Sequence, residues 1–190
     1  VLIATLVLTL GVVNIGDVFL VRRELHASVL IYGIVGMAFS IGSIAGALAT
    51  SAVKLERKHH TAALLFGIVL LIFGVFMFSI AWHWWVVMAF GLFAGFGNAL
   101  LNAYAIGLIM GKAPQESLGR ISAAVSAVFS TASVLSLVIA GPAIEHFGVR
   151  LAMLSGAVLS ALTFIILAPA VVTANRAALA AEAEKQLAEN

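Results

Sequence analysis

Between Lys58 and Lys112 the chain carries no Asp, Glu, Lys or Arg. A stretch this long and this free of charge exceeds one membrane crossing of roughly 20 residues, so it must fold back on itself. The cluster Trp82, His83, Trp84, Trp85 near its middle supplies the turn. Indole rings favour the headgroup level of a bilayer, where an apolar body and a polar N–H are both satisfied. The run therefore predicts two membrane-spanning helices joined by a tight turn at the surface. His83 reads there as an interfacial turn residue, with a proton-relay role as the lesser alternative.

Charges divide the rest of the chain in the same way. The segments are Val1 to Leu20, Ser28 to Val53, Thr61 to Ala81, Trp84 to Met110, Ile121 to Ala143 and Leu151 to Val172. Hydrophobic residues make up 63% of the chain and charged residues 9%, against about a quarter charged in soluble domains. Lipid must serve as solvent for much of this surface. In hydrocarbon an open strand leaves its backbone unsatisfied, and the period-two polarity of a barrel is absent, so the segments predict helices. The expected fold class is an all-α, polytopic membrane protein with six transmembrane helices over residues 1–172. A polar tail follows over 173–190. Its Ala, Glu and Lys content predicts a solvated, fraying helix or a disordered end, to which no chemistry is assigned.

The net charge of +2 gives no basis for nucleic-acid binding. With no cysteine there is no disulfide, thiolate metal site or cysteine nucleophile in this chain. No metal-ligand spacing, nucleophile elbow or phosphate-cradling glycine loop is present, so no catalytic residue, metal or cofactor is expected, and the chain does not read as an enzyme. His59 and His60 adjoin a basic loop, where a solvated or headgroup-facing role outweighs a metal site. The opening Val1 lacks a basic n-region and is already apolar, which argues against a signal peptide and suggests a piece of a longer protein.

Basic residues assign the sides. Lys54, Arg57, Lys58, Lys112, Arg120, Arg176 and Lys185 fall on one side, and Arg22, Arg23 and Arg150 on the other. By the positive-inside rule the first side is cytoplasmic, so both ends of the chain are expected inside, in a cytoplasmic (plasma) membrane.

Polar groups within the spans are the candidate functional residues. Asn98 and Asn102 are four apart and share one helix face. A buried amide needs partners, so this face turns toward other helices or a watery cavity. Interhelical contact and substrate binding stand about even. Ser122, Ser126, Ser130, Ser133 and Ser136 form a polar stripe on the fifth helix, suited to helix contact or to lining a cavity. Asp17 is the only carboxylate inside an expected span. Its place near the outer end, beside Arg22 and Arg23, favours a snorkelling or paired carboxylate over a titrating group in a transport path. Gly42 and Gly46, with Gly91, Gly95 and Gly97, suit close helix packing, and the same faces would allow helices to rock.

The stretch Gly97 to Ser126, GNALLNAYAIGLIMGKAPQESLGRISAAVS, joins two spans through a charged turn. Pro114 suits the first position of a short helix, with Glu116 in its first turn. Glu116 and Arg120 are four apart and placed to pair. Gly119 would let the chain re-enter the membrane closely. The turn reads either as a topogenic loop or as a charge network that latches one conformation.

The pattern APQESLGRIS, after a helix bearing glycine and asparagine, resembles the loop between the tenth and eleventh helices of the major facilitator superfamily, and most closely its drug and macrolide efflux branch. GPAIEHFGVRLAMLSGAVL, Gly141 to Leu159, resembles that branch's passage from eleventh to twelfth helix. NIGDVFLVRRELHASVLIYGIVGMAFSIGSIAGAL, from Asn14, is similar to its seventh and eighth helices. The resemblance reaches to about Val172. It implies the C-terminal half of a twelve-helix exporter working by alternating access, with an N-terminal six-helix half as partner, the bilayer as surroundings, a small amphipathic substrate as cargo and a proton gradient as drive. Asn98, Asn102, Ser126, Ser130 and Ser133 would then bind substrate, and Asp17, Glu116 and Arg120 would gate or couple. The best-known signature of the superfamily lies in the first half. Its counterpart here, Ala52 to His60, keeps only basic character, and coupling carboxylates of this branch usually lie in the first half as well. Another cargo, such as a siderophore or sugar, or a non-transporting assembly subunit, remains the alternative.

Overall fold

The computed structural model describes residues 16–52, 59–110 and 118–188. Every regular element among them is helical: α1 (16–24), which closes as a π-helix over Leu20–Glu24, then α2 (Val29–Ala52), α3 (His60–Ile80), α4 (Trp84–Met110), α5 (Leu118–Phe147) and α6 (Val149–Ala188). Five of them are long and apolar enough to cross a membrane: Val29–Ala52, His60–Ile80, Trp84–Ala105, Ser122–Phe147 and Val149–Thr173. These match five of the expected segments to within a few residues. The first expected span, Val1 to Leu20, lies outside the described residues except for 16–20.

The tryptophan turn is as tight as the charge-free run requires. Helix α3 ends at Ala81, which adopts an extended conformation while its N–H still bonds the Phe78 carbonyl at 3.2 Å. Helix α4 begins at once, with Val86 N–H on the His83 carbonyl at 3.1 Å. Trp82 is 80% exposed and Trp85 is exposed beside it, as suits rings that meet headgroups.

Two boundaries depart from expectation. Helix α5 runs on to Phe147, straight through Pro142, where Ala143 was the expected end. Proline removes one backbone bond, but spanning helices tolerate it because neighbouring groups satisfy what is freed. The break comes instead at Gly148, whose φ of +80° reverses the chain into α6 and whose N–H bonds the Ile144 carbonyl at 3.0 Å. At the other end of α5, Gly119 lies within the helix and a Cβ there would meet nothing within 4 Å, so it serves no close re-entry. Helix α6 continues without a break past its membrane span to Ala188.

Helix α4 is the centre of the packing. It lies between α2 and α3, α3 also contacts α6, and α5 packs on α6. Lipid tails are as apolar as the helices, so what holds them together is close van der Waals contact and not exclusion of water. Two apolar clusters mark the two levels of the bundle. One gathers Leu20, Val21, Ala27, Phe78, Ala81, Val87, Val149 and Met153 where α1 ends and α4 and α6 begin. The other joins Ile68, Leu71 and Leu101 farther along α3 and α4.

Candidate functional site

The glycines of α4 set the geometry around which polar side chains are placed. On one side, a Cβ at Gly95 would run into the Phe39 carbonyl of α2, and one at Gly42 into the Leu92 carbonyl of α4. A Cβ at Gly46 would lie 2.8 Å from Ala99 Cβ. On the other side, a Cβ at Gly97 would lie 2.5 Å from the Gly67 carbonyl of α3, and one at Gly74 would lie 2.7 Å from Ala94 Cβ. No larger residue fits these crossings without separating the helices. The expectation of glycine packing holds for Gly42, Gly46, Gly95 and Gly97. At Gly91 a Cβ would meet only ordinary contact, 3.5 Å from the Phe78 ring, and beside Gly33 and Gly36 it would find open space.

This close approach brings a hydroxyl across the α2–α4 seam. Ser43, between Gly42 and Gly46, donates to the Gly95 carbonyl at 3.2 Å. The sequence reading passed over Ser43. Its place inside a small-residue stripe was the available signal, because only there do backbones approach closely enough for a serine to reach across.

Asn98 and Asn102 follow the same glycines along α4. Asn102 Nδ2 donates to the Asn98 carbonyl at 2.8 Å and to Asn98 Oδ1 at 3.1 Å, so the two amides form a ladder along one face. Asn98 is half-buried and Asn102 exposed. On α5 the serine stripe divides. Ser136 is completely buried in line with Ala132 and Ala140, whereas Ser126, Ser130 and Ser133 are exposed on the adjoining face. Because α5 packs on α6 and α4 packs between α2 and α3, the structure does not close the asparagines and the serines into one pocket.

Asp17 lies in the helical residues of α1 and is half-buried, and its Oδ1 finds no hydrogen-bond partner among the described residues. The side chains of Arg22 and Arg23, the expected partners, lie outside the described residues. An ion pair among the described residues at this end is a different one: Arg150 Nε stands 3.5 Å from Glu24 Oε2, joining the end of α1 to the start of α6. It was not read from the sequence, since Glu24 and Arg150 are distant in the chain and meet only through the helix arrangement.

At the opposite end, Arg120 is exposed in the first turn of α5, and Glu116 lies outside the described residues. Here His60, expected to be solvated or headgroup-facing, is not fully solvated. It is half-buried, and its ring is tilted against the buried ring of Tyr104 at a centroid distance of 5.3 Å, tying the start of α3 to the end of α4.

These features describe a helical membrane bundle with close glycine seams and polar groups at membrane depth. Comparisons with curated proteins and with solved structures return no match. The sequence model of the Major Facilitator Superfamily matches residues 1–189, and the chain belongs to that superfamily of membrane transporters.

Proposed function

We propose that the chain is the C-terminal, six-span half of a twelve-helix secondary transporter that exports amphipathic, drug-like compounds or related metabolites by alternating access, driven by proton antiport. The observation that carries this reading is the Asn98–Asn102 ladder. An amide pair inside the span Trp84–Ala105, half-buried at Asn98 and exposed at Asn102, is costly to turn to lipid. It calls for water, a solute or a second set of helices on that side. Ser126, Ser130 and Ser133 on α5 offer hydroxyls of the same kind, and the apolar exposed faces of α2 and α5 suit a partner half.

On this reading Asn98 and Asn102 hydrogen-bond the cargo's polar groups, while apolar neighbours hold its hydrophobic body. Asp17 takes part in coupling, and Glu116 and Arg120 close the cytoplasmic side in one conformation. The cytoplasmic membrane is the site of action, with both ends of this chain inside. The test is transport by the purified intact protein in vesicles with an imposed proton gradient. A lipophilic dye or macrolide should accumulate against its gradient and stop when a protonophore is added. No movement of any such compound would remove the efflux reading, and movement that ignores the protonophore would remove the proton coupling.

A further inference from the structure

A slot of about 390 Å³ opens between α3 and α6, and all ten of the residues around it are apolar. On α3 its wall is formed by Val69, Phe73, Phe76 and their neighbour Ile72, spaced three and four apart. These lie largely opposite Gly67 and Gly74, the glycines that face α4, so the slot opens away from the centre of the bundle. Phe73, at the edge of that wall, is held edge-on by Phe90 of α4 at 5.6 Å, which fixes the ring in place. On α6 the slot exists because Ala157 and Ala161, one turn apart, remove bulk where α3 would otherwise be met by larger side chains.

Depth decides the occupant. The slot spans residues 157–165 at the centre of the membrane span Val149–Thr173, and residues 69–76 in the middle part of His60–Ile80. Its length along α3 is about 10 Å at 1.5 Å per residue. At this level the surroundings are hydrocarbon. Water does not occupy a purely apolar cavity, a polar cargo would find no group to orient it, and an empty slot would forfeit the dispersion contacts of its walls. We infer that the α3–α6 slot is a binding site for a single lipid acyl chain, held there as a structural partner of the bundle.

The intact protein in nanodiscs of phosphatidylcholine, with a diazirine at the middle of one acyl chain, tests this. After photolysis and peptide mapping, label should concentrate on Phe73, Phe76 and Ala161, above the level at Leu159 and Ile166, which are exposed apolar residues of α6 outside the slot. Ala161→Phe should fill the slot and lower its label to the level at Ile166. Phe76→Ala, which widens the slot, should raise labelling at Ala161, so the inference stays testable if the first variant fails to assemble. Label spread evenly over the exposed apolar residues, or unchanged in both variants, would overturn it. Displacement of the label by a transported solute would assign the slot to cargo instead, and crosslinks between two copies through α3 and α6 would assign it to a second chain.

Discussion

Gly97 of α4 rests against the carbonyl of Gly67 on α3, close enough that a Cβ at residue 97 would come 2.5 Å from that oxygen. The opposite side of the same helix meets α2 in the same manner at Gly95 and Gly42. Helix α4 is thus gripped between two others, and nothing larger than glycine fits at Gly95 or Gly97 unless a helix moves.

Gly42→Ala and Gly97→Ala should each destabilise the bundle by about 1–3 kcal/mol, the range for overpacking a close-packed interior. Gly33→Ala and Gly36→Ala, beside open space, should leave stability unchanged or slightly raised, since alanine is the better helix former. Thermal melting of the detergent-solubilised protein distinguishes the two pairs. Equal behaviour of all four would show that the seams are not tight.

The asparagine ladder permits a separation of roles. Asn102→Ala removes one intrahelical donor at an exposed position and should cost at most about 0.6 kcal/mol of stability, near the average for polar contacts in membranes. On the proposed function, Asn98→Ala should raise KM for the exported compound with little change in melting temperature. A large fall in melting temperature with unchanged KM would make the pair structural glue and remove it from the substrate path.

The helices were legible because charge is so scarce: each interruption of the apolar pattern, from Arg22 to Arg150, falls near a helix end. The tryptophan turn was legible for the same reason. Which helix meets which was not. Gly42 and Gly46 announced a close contact but carried no sign that α4 was the partner, because in lipid the facing surfaces have no hydrophobic signature to tell them apart. Ser136 illustrates the limit within one stripe. It shares its spacing with Ser126, Ser130 and Ser133, yet it alone is completely buried, since the small offset of α5 against α6 decides which serines are covered. Glu24 with Arg150, and His60 with Tyr104, are contacts between distant parts of the chain that no local pattern encodes.

Glu24 and Arg150 make a partly exposed ion pair, 45% and 33% accessible respectively. Such pairs contribute about 0.2–1 kcal/mol and weaken with salt. Glu24→Gln should therefore lower the melting temperature modestly at low ionic strength and hardly at all at high ionic strength. The exchange Glu24→Arg with Arg150→Glu should recover most of the loss. A loss independent of salt would mean that Glu24 acts through packing at the end of α1.

The chain lacks cysteine, so single cysteines report the proposed orientation without background from this chain. In intact cells a membrane-impermeant maleimide should label Trp82→Cys and spare Arg120→Cys. Permeabilised cells should give both labels. The reverse pattern would invert the topology and place the basic loops outside.

Arg120 then offers the sharpest test of the cytoplasmic latch. It stands exposed at the start of α5, and Lys54, Arg57, Lys58 and Lys112 remain to hold that side inside when it is removed. Arg120→Ala should therefore insert normally, which the maleimide pattern at Trp82→Cys checks in the same background. If the arginine stabilises one conformation through Glu116, its loss shifts the conformational balance by about 1.5- to 5-fold, the span of an exposed pair contributing about 0.2–1 kcal/mol. Transport should fall by a comparable factor, and the exchange Glu116→Arg with Arg120→Glu should restore it. Normal insertion with unchanged transport would leave the turn a topological marker alone. Failure of the exchange to rescue a real loss would show that Arg120 acts on a partner other than Glu116.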